Sequence, residues 1–153
     1  MKIENIYISS GHNFYGRHGK DPLKHTTESV QQVECIAGSG LVGDRFFDYK
    51  DDYRGQITFF SFEVYNNLCS ALEIHDKDTG VFRRNVITSG VDLNTLIDQE
   101  FEIQGILFLG TVECSPCAWM DQAFGPGAEA FLKGQGGLRA KILTSGTLKV
   151  DAA

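Results

Sequence analysis

Short runs that alternate apolar and polar residues, each closed by a glycine-bearing turn, recur along this chain and limit what it can fold into. Ile3, Ile6 and Ile8 alternate with polar neighbours over residues 1–9 and predict a first strand, and Val30, Val33, Cys35 and Ala37 predict another over 29–37. "QITFFS" (56–61) is β-branched and aromatic, the composition of a buried strand. "RRNVIT" (83–88) reads as a strand. "EFEIQGILFLGTVEC" alternates on both sides of Gln104-Gly105, the pattern of a hairpin, and "LRAKILT" and "TLKV" close the chain as strands around Ser145-Gly146. Helical spacing is confined to a few places. Phe62, Tyr65, Leu68, Cys69 and Leu72 predict a helix over 62–73 capped by Ser61, Asp92 caps a further turn, and 128–133 is a short helix. Residues 12–24 are polar and read as a loop. Many short strands with few helices predict a mainly β architecture, a barrel or rolled sheet with helical insertions, rather than layered βαβ units.

With 153 residues the chain suits one domain over 1–153, and with 42% hydrophobic residues it can bury a core. A net charge of −6 argues against a general nucleic-acid binder. No apolar run approaches the roughly 20 residues that span a bilayer, and "MKIENIYISSGHNF" has no apolar signal region, so neither membrane insertion nor export is expected. Four cysteines in such a chain predict reduced thiols and a cytoplasmic location.

Two motifs invite chemistry. "GSGLVG" (38–43) matches G-x-G-x-x-G, but a dinucleotide site needs a helix to start at the second glycine so that its N-terminus faces the pyrophosphate. "DRFFDYKDDYRG" follows, without helical periodicity, so these glycines instead shape a loop presenting Asp44 and Arg45. "ECSPCAWMD" (113–121) carries Cys-x-x-Cys. A thioredoxin-like reading lacks a suitably placed downstream proline. A structural zinc site lacks a second ligand pair, since His12, His18, His25 and His75 are scattered and Cys35 and Cys69 lie in apolar patterns. What remains is one working thiolate. Pro116 breaks the chain before Cys117, and a helical turn starting at Cys117 would favour its thiolate as a soft metal ligand or sulfur carrier. Cys114 reads as part of the wall, and Trp119 as core.

"GLVGDRF" (40–46), "RGQITFFSFE" (54–63), "RRNVITSGVDLNTLIDQEFEIQG" (83–105), "SPC" (115–117) and "GLRAKILTSG" (137–146) occur in the order found in MOSC domains, named for the C-terminal domain of molybdenum cofactor sulfurases. The chain resembles that family over nearly its whole length. The resemblance implies a β-barrel-centred fold of the pyruvate-kinase β-barrel type. It implies a molybdenum cofactor (molybdopterin) whose metal is ligated by one cysteine, here Cys117. An anionic, phosphate-bearing pterin calls for a local cationic clamp in an acidic chain, and Asp44, Arg45, Arg54, Arg84, Asn85 and Arg139 are the candidates. On a strand Arg83 and Arg84 would face opposite sides, which assigns Arg84 to the pocket and Arg83 to the surface. The implied activity is reduction of an N- or S-oxygenated small molecule with electrons from a separate donor protein. The rival reading is a persulfide held on Cys117, loaded by a sulfur donor protein for cofactor or metal–sulfur cluster assembly.

Overall fold

The computed structural model describes residues 1–11 and 26–153; the loop expected over 12–24, with His12 and His18, lies outside the described residues, as does His25. Two sheets enclose a common core. The larger contains β1 (Lys2–Ser9), β2 (Thr27–Val30), β5 (Ile57–Ser61), β6 (Val86–Ser89), β7 (Glu100–Ile103), β8 (Ile106–Glu113) and β9 (Leu138–Ile142), in the order β2-β1-β6-β5-β9-β8-β7. Its β5–β6 pair is parallel and its other ladders are antiparallel. The smaller contains β3 (Gln32–Ile36), β4 (Gly40–Leu41) and β10 (Gly146–Lys149), in the order β10-β3-β4.

The expected mainly β architecture is present; of the expected closed or partly open barrel, a closed one is not found among the described residues. The seven-stranded sheet is mixed and open, with β2 and β7 at its two ends. One reason lies in the strand expected over 29–37, which divides at Gln31. Before the break Val30 pairs with Ile6 of β1; after it Val33 pairs with Leu148 of β10, in the other sheet. The segment that would extend the edge of the large sheet therefore leaves it.

β5 explains why its sequence runs apolar without alternation. Successive side chains of a strand point to opposite faces, and here both faces are covered. Phe59 enters the core between the sheets with Ile3, Ile6, Val33, Phe108 and Leu148, whereas Phe60 enters a second core with Leu68, Phe82, Met120, Phe124 and Leu132. That second core lies beneath α1 (Phe62–Leu72), α2 (Trp119–Ala123) and α3 (Ala128–Leu132). Ser61 caps α1 by accepting from the Val64 N–H at 3.2 Å, and Glu73 ends it in the left-handed conformation. The hairpin turn is Gln104-Gly105, both at positive φ (53° and 82°), as a two-residue turn matched to strand twist requires. Among the described residues no helix is long and apolar enough to cross a membrane.

Two local expectations change. Arg83 and Arg84 are not strand residues. A 3₁₀ turn, Thr79–Phe82, is closed by Arg83 at φ 58°, and β6 begins at Val86. Both arginines are 9% exposed, so the alternation that put Arg83 on the surface does not apply. No helix follows the glycine-rich loop: Gly40–Leu41 forms β4, and the Asp44 N–H returns to the Leu41 carbonyl at 3.1 Å.

Gly110 in β8 sits where the β8–β9 register shifts, and a Cβ there would lie 2.0 Å from the Leu96 carbonyl oxygen. That oxygen is backbone and cannot swing aside. Gly110→Ala is expected to lower folding stability by roughly 1–3 kcal/mol, as overpacking does, read as a lower urea midpoint at unchanged slope.

Candidate functional site

The Cys-x-x-Cys segment leaves the end of β8 without regular secondary structure and is pressed against residues 136–137. The Cys114 N–H donates to the Gly137 carbonyl at 2.8 Å, and Glu113 Oε2 accepts from the Gly136 N–H at 3.1 Å. A Cβ on Gly136 would fall 2.4 Å from the Cys114 carbonyl oxygen, and one on Gly137 (φ 114°) would fall 2.3 Å from that of Phe59. The glycines of "GQGG" therefore permit a close approach of two backbones. Cys117 is half-buried, and its carbonyl accepts from the Met120 N–H at 3.0 Å. The helix expected to start at Cys117 instead starts at Trp119, capped by Ala118, and is only five residues long. Its end cannot serve as the activator of Cys117. Trp119 packs on the second core as expected, with its indole N–H donating to the Val81 carbonyl. Cys35 and Cys69 are buried among apolar side chains, as expected, and burial pushes the Cys35 thiol up to about 12.

Arg84 ties this segment to the rest of the fold. Its Nε donates to the Gly136 carbonyl at 3.0 Å, one terminal nitrogen to Phe82 at 3.2 Å, and the other to Cys114 at 3.0 Å. Its donors are spent on backbone carbonyls, so it builds the site rather than clamping a ligand. Asn85, 2% exposed, is similarly committed: its carbonyl accepts from the Thr58 N–H and hydroxyl, and its amide donates to Tyr7. Asp44 accepts from the Ser9 and Phe46 N–H groups and from Arg45, while Arg45 also donates to the Arg83 carbonyl and stacks over Phe46. Asp44 thus plays a turn-stabilising part.

Arg139 and Arg54 are different. Both line a cavity of about 380 Å³ together with residues 49–53. Tyr49 and Tyr53 form its aromatic wall, with ring centroids 4.9 Å apart, and Lys50 adds a third cation. Asp51 and Asp52 also line it, but Asp52 pairs with Lys141 at 2.8 Å. Among the described residues no carboxylate lies within ion-pair distance of the Arg139 guanidinium, and its side-chain partner is Cys114. Burial works against its charge, yet its pKa is raised overall by the Cys114 sulfur, with which it is in polar contact, and by Tyr53. Burial pulls Arg45 down despite Asp44, and Arg84 and Cys114 are within its electrostatic reach. The structure therefore brings Arg45, Arg84 and Arg139 together around Cys114, the cysteine that sequence assigned to the wall. A larger cavity, of about 650 Å³, lies beyond the turn at 134–137 among Glu63, Asp92, Asn94 and Lys133. It is lined by neither cysteine nor arginine, so its size does not make it the centre of this chemistry.

Loss of Arg84 should be felt in stability before chemistry. Arg84→Met strands the buried carbonyls of Cys114 and Gly136, at roughly 1–3 kcal/mol for each buried acceptor left without a donor. Urea unfolding should show that loss, with Arg84→Lys intermediate because an ammonium cannot span the same carbonyls.

The MOSC domain family model matches residues 17–153, and that family is associated with molybdenum cofactor binding. No curated protein sequence matches at significance. Among solved structures, a crystal structure of the YUAD protein from Bacillus subtilis superposes with a TM-score of 0.75 at 17% identity, covering 97% of this chain and 91% of that one. A crystal structure described as a hypothetical protein superposes with a TM-score of 0.68 at 15% identity, covering 99% of this chain and 66% of the other. At these identities the likeness concerns the fold alone.

Proposed function

We propose, from the premise that this chain belongs to the MOSC domain family, that it binds the molybdenum cofactor at the end of β8. The observation that carries this is a concentration of positive charge in a chain of net charge −6. Arg139 and Arg54 line one cavity, and Arg84 holds the Cys114 and Gly136 carbonyls; among the described residues none of the three has a carboxylate within ion-pair distance. Arg139 is half-buried, and such a cation without counter-charge is costly unless an anion joins it.

The residues fit the group. Cys117, half-buried at the end of a segment held in place by Arg84, supplies the soft sulfur donor. Arg54 and Arg139 offer planar donor forks that suit a phosphate, and Lys50 adds charge. Tyr49 and Tyr53 provide ring surface against which a pterin can lie and which keeps water from its face. Asp44, Arg45 and Asn85 hold the surrounding backbone. When bound, the group supplies two-electron redox chemistry suited to removing oxygen from N- or S-oxygenated small molecules. This chain's own contribution is to bind, orient and neutralise, and electrons come from a separate donor protein.

Elemental analysis of the chain produced in cofactor-replete cells tests the reading. Stoichiometric molybdenum is expected in the unaltered protein, with a large loss in Cys117→Ala and partial loss in Arg54→Gln. Full occupancy in Cys117→Ala would remove Cys117 from the metal. A cyanide-labile sulfur without molybdenum would replace the reading with that of a persulfide carrier.

A further inference from the structure

Cys114 has no role in the proposal above, yet the structure surrounds it with the site's charge. It lies one residue beyond β8 and is 6% exposed. Its carbonyl is held by Arg84 and its N–H by Gly137, so its backbone is fixed on both sides. Its sulfur faces the guanidinium of Arg139, with Arg45 and Tyr53 also in electrostatic reach. Of the carboxylates nearby, Asp44 is engaged by Arg45, Glu113 by the Gly136 N–H and Asp52 by Lys141, and Asp51 lines the cavity beside Lys50 and Arg54. Arg45 is itself 10% exposed in its side chain, and its Nε is buried without a hydrogen-bond partner among the described residues. The orphaned Arg45 Nε and the Arg139 guanidinium, which contacts the Cys114 sulfur and has no carboxylate within ion-pair distance, are groups that an anion would satisfy.

The cavity supplies the approach. Arg139 lines the cavity and contacts the Cys114 sulfur, and Tyr53 belongs to the lining and to the electrostatic surroundings of Cys114, so one guanidinium links the cavity to the thiol. Arg54 and Lys50 stand at the same opening. A small molecule carrying a carboxylate, phosphate or sulfonate would be drawn to these cations, and a reactive atom next to the charged group would be brought toward the sulfur.

From this arrangement we infer that Cys114 is a second working thiol, a nucleophile selective for small anionic electrophiles that Arg139 and Arg54 hold in the cavity. The inference stands on the geometry around Cys114 and does not depend on molybdenum. In the reaction the thiol releases its proton to solvent, its sulfur forms one bond to the electrophilic atom, and the leaving group departs with the electron pair of the broken bond. No external oxidant or reductant takes part.

Paired alkylating reagents test it: iodoacetate, which is charged, and iodoacetamide, which is neutral and of the same size. Each transfers a carbon to sulfur with loss of iodide. The purified full chain is treated with each at low ionic strength, and modification of every cysteine is followed by peptide mass spectrometry. Cys114 should react faster with iodoacetate than with iodoacetamide, and Cys117 should lack that preference. Arg139→Gln should reduce the preference at Cys114 on the order of tenfold, the scale of local electrostatic focusing. Added salt should weaken it. Arg54→Gln, at an exposed position, gives a second reading that does not disturb the interior and should reduce the preference in the same direction. Unreactive Cys114, a preference for the neutral reagent, or an iodoacetate preference untouched by both arginine variants would each overturn the inference. These rates are read at Cys114 alone, so they fail or succeed separately from the molybdenum content of Cys117→Ala.

Discussion

A single buried guanidinium organises the functional end of this protein. Arg84 reaches carbonyls from three stretches of chain that are far apart in sequence: Phe82 beside it, Cys114 after β8, and Gly136 before β9. Only a planar group with several divergent donors can join them at once. The same junction demands glycine at 136 and 137, because any side chain there would overlap the Cys114 or Phe59 carbonyl. The positions of both cysteines follow from this contact. If the strands were kept but Arg84 and the two glycines removed, the segment carrying Cys114 and Cys117 would have nothing to fix it beside Arg139.

The large sheet makes that junction possible by running β5, β9 and β8 side by side, so that "ITFFS", "LRAKI" and the exit of β8 converge. Phe59 and Phe60 face opposite cores, which makes β5 the central wall of the molecule. A one-residue slip of β5 would send Phe59 and Phe60 into each other's cores, so the register is specified by packing on both faces, and Arg139, opposite Thr58 in the β5–β9 ladder, is placed by that register. The cation that contacts Cys114 is therefore held on a strand paired to the central wall, while Arg54 and Lys50 lie on the connection that precedes β5.

How far sequence could anticipate this depends on the range of each interaction. β1, the Ser61-capped α1 and the Gln104-Gly105 turn are set by neighbours within a few residues, and they were legible. The break at Gln31 was not, because nothing local says that Val33 pairs with Leu148 rather than continuing beside β1. "RRNVIT" has the composition of a strand throughout. Its first residue is left-handed because it closes the 3₁₀ turn and sends its side chain to Ser9, a tertiary demand overriding propensity. The cysteines show the same limit. Sequence could point to the Cys-x-x-Cys segment and to Arg139 separately. Placing Arg139 beside Cys114 required the β8–β9 register, including the shift between Gly110 and Val112.

That shift has a chemical consequence. A regular ladder would carry the pairing of Gly110 with Ala140 on without interruption; the irregularity instead sets Val112 opposite Arg139 and Glu113 opposite Leu138. Cys114 leaves the strand immediately afterwards, on the Arg139 end of the pair of strands. Bulges of this kind re-aim side chains at the ends of strands. Here the irregularity and the close contact of Gly110 with Leu96 occur at one point, so the glycine that lets β8 bend also determines which residue of β9 the thiol meets. A mainly acidic chain thus obtains a cationic, sulfur-bearing site from backbone geometry: its few arginines are gathered by strand register, and their donors are divided between those that hold the loop and those left facing the cavity.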